Sequence, residues 1–238
     1  MSSAINQTQS ALAEVGHGFV PADELSTIID VTGQDWAAFA GNWDDLTLDT
    51  YMADGGKYRY RRYGQFELNG ATGELTQLPH GPYRQESDIN PLNGGVERHF
   101  DPLTEEFVGS PVLRNLLRTL GDWYTRIEGH PHWNIKLHPY RIIASADAAG
   151  QPAPEGRHRD GVTFIHSLLI NRTNVVGGES GVYADSGEHL FTKTLEQTGD
   201  LLLGDDRRTL HSVTPIEPAD PELAGHRDVL VIAYTRVG

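Results

Sequence analysis

Beyond His130 the chain breaks into short segments rich in β-branched and aromatic residues, each fenced by Gly, Pro, Asp or Asn. This pattern limits the fold more than any other feature of the sequence. The segments run over about 133–144, 162–171, 201–203, 209–216 and 229–235. Runs of this length and punctuation form strands, and a succession of them must close into a sandwich or barrel to protect its edges. The preceding part has another character. Helical patterning is expected over about 2–15, 22–29 and 34–40, and Ser110-Pro111 opens an amphipathic helix with Leu113, Leu116, Leu117, Leu120, Trp123 and Ile127 on one face. The aromatic- and Arg-rich stretch 58–68 reads as a strand ending in the Asn69-Gly70 turn, and 81–95 as a long surface loop of the kind that covers a binding site. The expectation is a single α+β, mainly β domain: a helical N-terminal part over about 1–130 packed on a β core over about 131–238.

Composition narrows the chemistry. The 238 residues include no cysteine, which removes disulfides, thiolate metal sites and cysteine nucleophiles together. Any metal must therefore be held by His, Asp or Glu. A net charge of −14 repels nucleic acid and anionic lipid, so neither is expected as a partner. Apolar runs fall far short of the roughly 20 residues that span a bilayer, and the first residues lack the pattern of a secretion signal, so a cytoplasmic protein is expected. Glycine-rich phosphate loops and the G-x-S-x-G elbow are absent, which leaves nucleotide folds and serine hydrolases without support.

The 11 histidines invite a search for a metal site. Residues two apart on a strand share a face, so His-x-Asp can offer two ligands to one ion. Random placement already yields roughly one such pair, so the pair alone carries little weight. Three occur: His99/Asp101, His158/Asp160 and His226/Asp228. A non-haem iron site also needs a second histidine from a later strand, leaving open positions on one side of the ion. His226 has no histidine after it, and His99/Asp101 runs out into a loop. His158/Asp160 is followed 51 residues later by His211 within the strand-like Thr209–Pro215, and Arg227 then opens the last apolar strand. If Arg227 points inward, alternation places Val229, Val231 and Ala233 on the same inner face.

With these residues in view, the chain resembles the bacterial iron(II)/2-oxoglutarate-dependent dioxygenases, and within them the small family that includes the free L-isoleucine hydroxylase. The resemblance runs through Leu137-His138-Pro139-Tyr140-Arg141, His158-Arg159-Asp160, Phe164 to Asn171, Gly177-Gly178-Glu179, His211 to Pro215 and Arg227 to Leu230. It implies a double-stranded β-helix, or jelly roll, with Fe(II) held by His158, Asp160 and His211, and with 2-oxoglutarate and O2 as cosubstrates. Arg227 would hold the far carboxylate of 2-oxoglutarate, with Arg236 as the fallback. His166 is assigned to the cosubstrate too, beside a second reading as a core histidine bonded to backbone.

The implied substrate is a small molecule, a free L-amino acid hydroxylated at an aliphatic C–H bond. Its carboxylate would fall to Arg98, Arg141 or Arg62, with Arg61 also available, although each of these also reads as half of a structural ion pair. Its ammonium would fall to Glu97 or a backbone carbonyl. Asp160 keeps the carboxylate that halogenating relatives replace by a small residue. Two other readings stay open: a dioxygenase acting on a protein or peptide side chain, and a metal-binding jelly roll that senses a ligand without turnover.

Overall fold

A computed structural model describes residues 3–52, 54–85 and 95–238, with side chains described from residue 8 onward. Five α-helices are described, α1 (Ser3–Val15), α2 (Ala22–Ile28), α3 (Gly33–Ala40), α4 (Glu105–Gly109) and α5 (Pro111–Glu128), with a 3-10 turn over Gly41–Asp45 following α3. None is long and apolar enough to cross a membrane. Their ends follow local chemistry. Thr32 and Asp35 form a reciprocal capping box at the start of α3, and Pro111 occupies the first turn of α5. Ser110 stands at the N-cap of α5 without capping it through its side chain. Gly129 ends α5 in the left-handed region at φ 64°, where a side chain would be strained.

The strands are β1 (His17–Val20), β2 (Thr47–Leu48), β3 (Arg59–Arg61), β4 (Gly64–Asn69), β5 (Glu74–Gln77), β6 (His132–Ala144) and β7 (Phe164–Thr173). They continue as β8 (Val175–Gly177), β9 (Glu179–Ala184), β10 (His189–Thr194), β11 (Leu201–Asp205), β12 (Thr209–Val213), β13 (Ile216–Pro218) and β14 (Gly225–Arg236). The large antiparallel sheet runs β1-β11-β7-β14-β6-β3-β2, with β4 also on β6 and β5 on β4. Facing it is a small sheet ordered β10-β9-β12, and β13 pairs with β8. Two facing antiparallel sheets with their connections crossing between them are the jelly roll expected from the resemblance.

Strands are thus not confined to the second half. Residues before 130 supply five of them, and β1 closes one edge of the large sheet against β11. The expected strand over 58–68 divides in two, because β3 pairs with residues 140–142 of β6 and β4 with residues 132–137. At the junction Leu103 fills the space a Cβ on Gly64 would need, 2.5 Å from its Cδ1, so only glycine admits the shift. Pro215 likewise separates β12 from β13. The segment 86–94 of the expected covering loop lies outside the described residues.

Alternation then sorts the large sheet into two faces. Ile135 and Leu137 of β6, Phe164 and Leu168 of β7, and Leu230, Ile232 and Tyr234 of β14 are buried in one core with Leu113, Leu116, Leu117 and Leu120 of α5. Each fully buried aliphatic side chain there contributes about 1.5–3 kcal/mol. The helical part therefore seals one face of the sheet. The intervening residues face the small sheet and line the cavity between the sheets, and they set the chemistry of the site.

Candidate active site

A cavity of about 950 Å³ opens between the sheets. The register of its floor is read directly from the strand pairing. Along β14, Arg227, Val229, Val231 and Ala233 stand opposite Ile142, Tyr140, His138 and Lys136 of β6, and all eight line the cavity. Beyond β6, Arg59 and Arg61 of β3 pair with Ile142 and Tyr140 and line it as well. The inward alternation expected from Arg227 to Ala233 is what the strand adopts.

At the mouth, His158 and His211 meet across an isolated antiparallel bridge, each backbone N–H donating to the other's carbonyl at 3.0 Å. Their rings lie 4.3 Å apart. Asp160 projects beside them, with its Oδ2 3.3 Å from His211 Nε2. One ligand atom from each of His158, Asp160 and His211 lies within 4.8 Å of the others. Among the described residues this is the one group of three so placed. The Nδ1–H of His158 donates to the Gly156 carbonyl at 3.0 Å, which leaves Nε2 as the free lone pair. Burial opposes charge on both Asp160 and His211. Their mutual hydrogen bond and attraction outweigh it, holding the Asp160 carboxyl below its usual range and the His211 imidazole above its own. Two imidazoles and a carboxylate on one side of a cavity are the donor set that suits iron(II) with positions to spare, so these residues fit the metal.

Arg227 occupies the far end of the floor. It is 1% exposed, and its Nε and Nη2 have no hydrogen-bond partner among the described residues. Burial, then the nearby Arg172 charge, pushes its guanidinium down to about 10. A buried cation with two free donors is costly until an anion arrives, and the planar fork suits a carboxylate bidentately. The residues present therefore fit 2-oxoglutarate at the Arg227 end. Arg236 ends β14 exposed and outside the cavity, so it is set aside as the alternative.

Four other assignments are corrected. His166 faces the helical core, not the cavity, because it shares parity with Phe164 and Leu168 while Ile165 and Ser167 point inward. Its Nδ1–H donates to the Ile232 carbonyl at 2.7 Å, its Nε2 accepts from the Tyr124 hydroxyl, and burial lowers its pKa to about 4. Arg141 lies on the outer face of β6, forked onto Asp228 at 2.8 Å and paired with Asp44. Arg62 donates to the Asp45 and Pro102 carbonyls outside the cavity. Glu97 is taken by Arg84 at the exposed rim.

Arg98 does line the cavity, buried, with its Nη2 donating to Gln85 Oε1 at 2.7 Å. Several neighbours went unread in the sequence. Asp49 is buried and holds Arg59 at 2.7 Å and Arg61 at 3.7 Å. His138, kept neutral by burial and by Arg61, accepts from Arg61 Nη2 at 2.5 Å. Asp206 accepts the backbone N–H of Asp160 at 3.1 Å and of Val162 at 3.0 Å. Pairing across strands far apart in sequence creates these contacts. The only forewarning was their inward parity.

Comparison with known proteins agrees with the fold. The family model for 2OG-Fe dioxygenases matches residues 40–233. The 3(1)-hydroxy-L-isoleucine 4-dioxygenase of Pantoea ananatis (strain AJ13355) is 26% identical over 94% of both chains. The L-isoleucine-4-hydroxylase of Bacillus thuringiensis is 25% identical over 64% of this chain and 65% of its own. Among solved structures, a bsmA homolog from Methylobium petroleophilum PM1 superposes with a TM-score of 0.92 at 34% identity, covering 100% of this chain and 95% of that one.

Proposed function

From the premise that the chain belongs to the 2OG-Fe dioxygenase family, we propose that it hydroxylates an aliphatic C–H bond of a free L-amino acid. The observation that carries this reading is the cavity itself. It joins the His158/Asp160/His211 group, the free Arg227 fork and a separate wall holding buried Arg61 and Arg98, so an anion can be held at each end. The isoleucine activities named for the two relatives support the choice of substrate class.

His158, Asp160 and His211 would hold the iron, which with 2-oxoglutarate and O2 supplies the oxidising power, releasing succinate and CO2 and leaving one oxygen atom in the substrate. Everything else falls to positioning. Arg227 fixes the far carboxylate of the cosubstrate, and the small side chains of Val229, Val231 and Ala233 leave its path open. Arg98 and Arg61 receive the substrate carboxylate, steadied by Gln85 and by Asp49. Their burial removes competing water, which strengthens each charge-assisted contact.

The test is a screen of free L-amino acids with iron(II) and 2-oxoglutarate, read by succinate release and a product mass gain of one oxygen. Release by at least one free amino acid supports the reading. Release only with N-acylated or peptide substrates removes it and leaves a dioxygenase acting on a peptide side chain.

A further inference from the structure

The charge of the cavity runs against the charge of the chain. Acids outnumber bases 33 to 19 overall, yet the cavity is lined by eight Lys or Arg and two carboxylates, Glu155 and Asp160. Three of the eight are spent elsewhere. Arg59 pairs with Asp49, Arg84 with Glu97 and Arg159 with Asp185. Arg157 lies over the Tyr183 ring, and Arg227 is taken by the cosubstrate. Arg61, Arg98 and Lys136 remain.

These three converge on one aromatic ring. Their charged ends lie 5.7, 4.6 and 5.8 Å from the centroid of Tyr83. Arg61 shares Asp49 with Arg59 at the longer distance of 3.7 Å, and Arg98 is bonded to a neutral amide. Lys136 forms no salt bridge among the described residues, and burial lowers its pKa. Buried Arg61 and Arg98 each have an Nε with no hydrogen-bond partner among the described residues. Like charges gathered this closely in a buried wall repel one another, and although Asp49, Asp160 and the aromatic faces offset part of this, an anion placed among the three relieves the rest. One α-carboxylate satisfies one cation or two, and a neutral side chain adds nothing for the third.

We infer that the wall around Tyr83 selects an amino acid with a second carboxylate in its side chain, Arg61 and Arg98 holding one carboxylate and Lys136 the other. The inference rests on the amino acid reading above and narrows it to dicarboxylic amino acids.

The experiment compares L-glutamate and L-2-aminoadipate with L-glutamine and L-isoleucine, binding to the iron(II)-loaded protein without oxygen. Calorimetry is run with 2-oxoglutarate saturating, so that a diacid cannot occupy the cosubstrate end. At least one diacid should bind roughly ten- to a hundredfold more tightly than glutamine, a near-isostere of glutamate that lacks the charge. Lys136→Met should erase that preference, and Lys136→Arg should restore most of it. Glutamine or isoleucine binding as tightly as the tighter-binding diacid overturns the inference while the amino acid reading stands. A Lys136→Met protein with a changed 2-oxoglutarate requirement and an unchanged diacid preference also overturns it, assigning Lys136 to the cosubstrate. Failure of every free amino acid to bind or to release succinate defeats the amino acid reading itself.

Discussion

The carboxylate of Asp206 accepts the backbone N–H of Asp160 at 3.1 Å, tying the turn after β11 to the loop that carries two of the three candidate ligands. Its Oδ1 also stands 3.8 Å from His211 Nδ1, so one buried acid sits behind two ligands at once. Asp206→Asn keeps the shape and replaces one acceptor by a donor aimed at backbone N–H groups. Affinity for iron(II), or for cobalt(II) as a spectroscopic stand-in, should fall about 10- to 100-fold with the fold retained. Unchanged affinity would make Asp206 purely a loop anchor.

Replacement of His158, Asp160 or His211 by Ala should abolish iron-dependent turnover and leave circular dichroism unaltered, because each side chain is one third of the proposed ligand set and lies at the cavity mouth. His99→Ala should retain activity, since His99 is exposed and 3.9 Å from Glu97. An essential His99 beside a dispensable His211 would mean that the wrong His-x-Asp pair had been chosen.

Arg227→Ala should raise the 2-oxoglutarate concentration needed for half-maximal succinate release by roughly one to three powers of ten, the worth of a sheltered bidentate pair at about 2–4 kcal/mol. Iron affinity should hardly move. Because its Nε and Nη2 have no partner among the described residues and Asp228 is held by Arg141, its loss leaves no orphaned acid to confuse the result.

Arg141→Ala separates a structural arginine from a binding one. It strips Asp228, itself 1% exposed, of a two-pronged partner, so stability should drop by about 1–3 kcal/mol in urea unfolding. The substrate KM should stay put, whereas Arg98→Gln should raise it. An Arg141→Ala protein of normal stability and raised KM would return Arg141 to the site.

How much of this was legible depended on range in sequence. The ligand group could be found because His-x-Asp on an extended segment, a distal histidine and an arginine opening an apolar strand are each local patterns. The inward face of β14 followed from alternation alone. Parity also held the answer for His166, whose companions Phe164 and Leu168 are core residues. Arg141 and Lys136 could not be separated so simply: both lie on β6, five residues apart and hence on opposite faces. Which face is inner depends on the packing of α5, a contact made across sequence. The Asp49 and Asp206 contacts and the ring of cations around Tyr83 arise from cross-strand register, to which one strand's pattern is blind.

The core position of His166 predicts a pH dependence of stability. Its ring is neutral in the fold, donating to the Ile232 carbonyl and accepting from Tyr124, with a pKa lowered to about 4 against an ordinary 6.5. The unfolded chain therefore binds the proton more readily than the native one. Stability is full above about pH 6.5, is lost progressively as pH falls, and the loss levels off once pH passes below about 4. At 1.36 kcal/mol per pKa unit, the whole excursion is worth about 3 kcal/mol. Urea unfolding of His166→Gln beside wild type should show the mutant less stable at pH 7.5, because the fitted hydrogen bonds are gone. Its stability should decline less steeply between pH 6.5 and 4.5, because the titrating group is gone as well. Parallel pH profiles for the two proteins would mean that His166 binds its proton equally well in the folded and unfolded chain, so that burial does not hold the ring neutral.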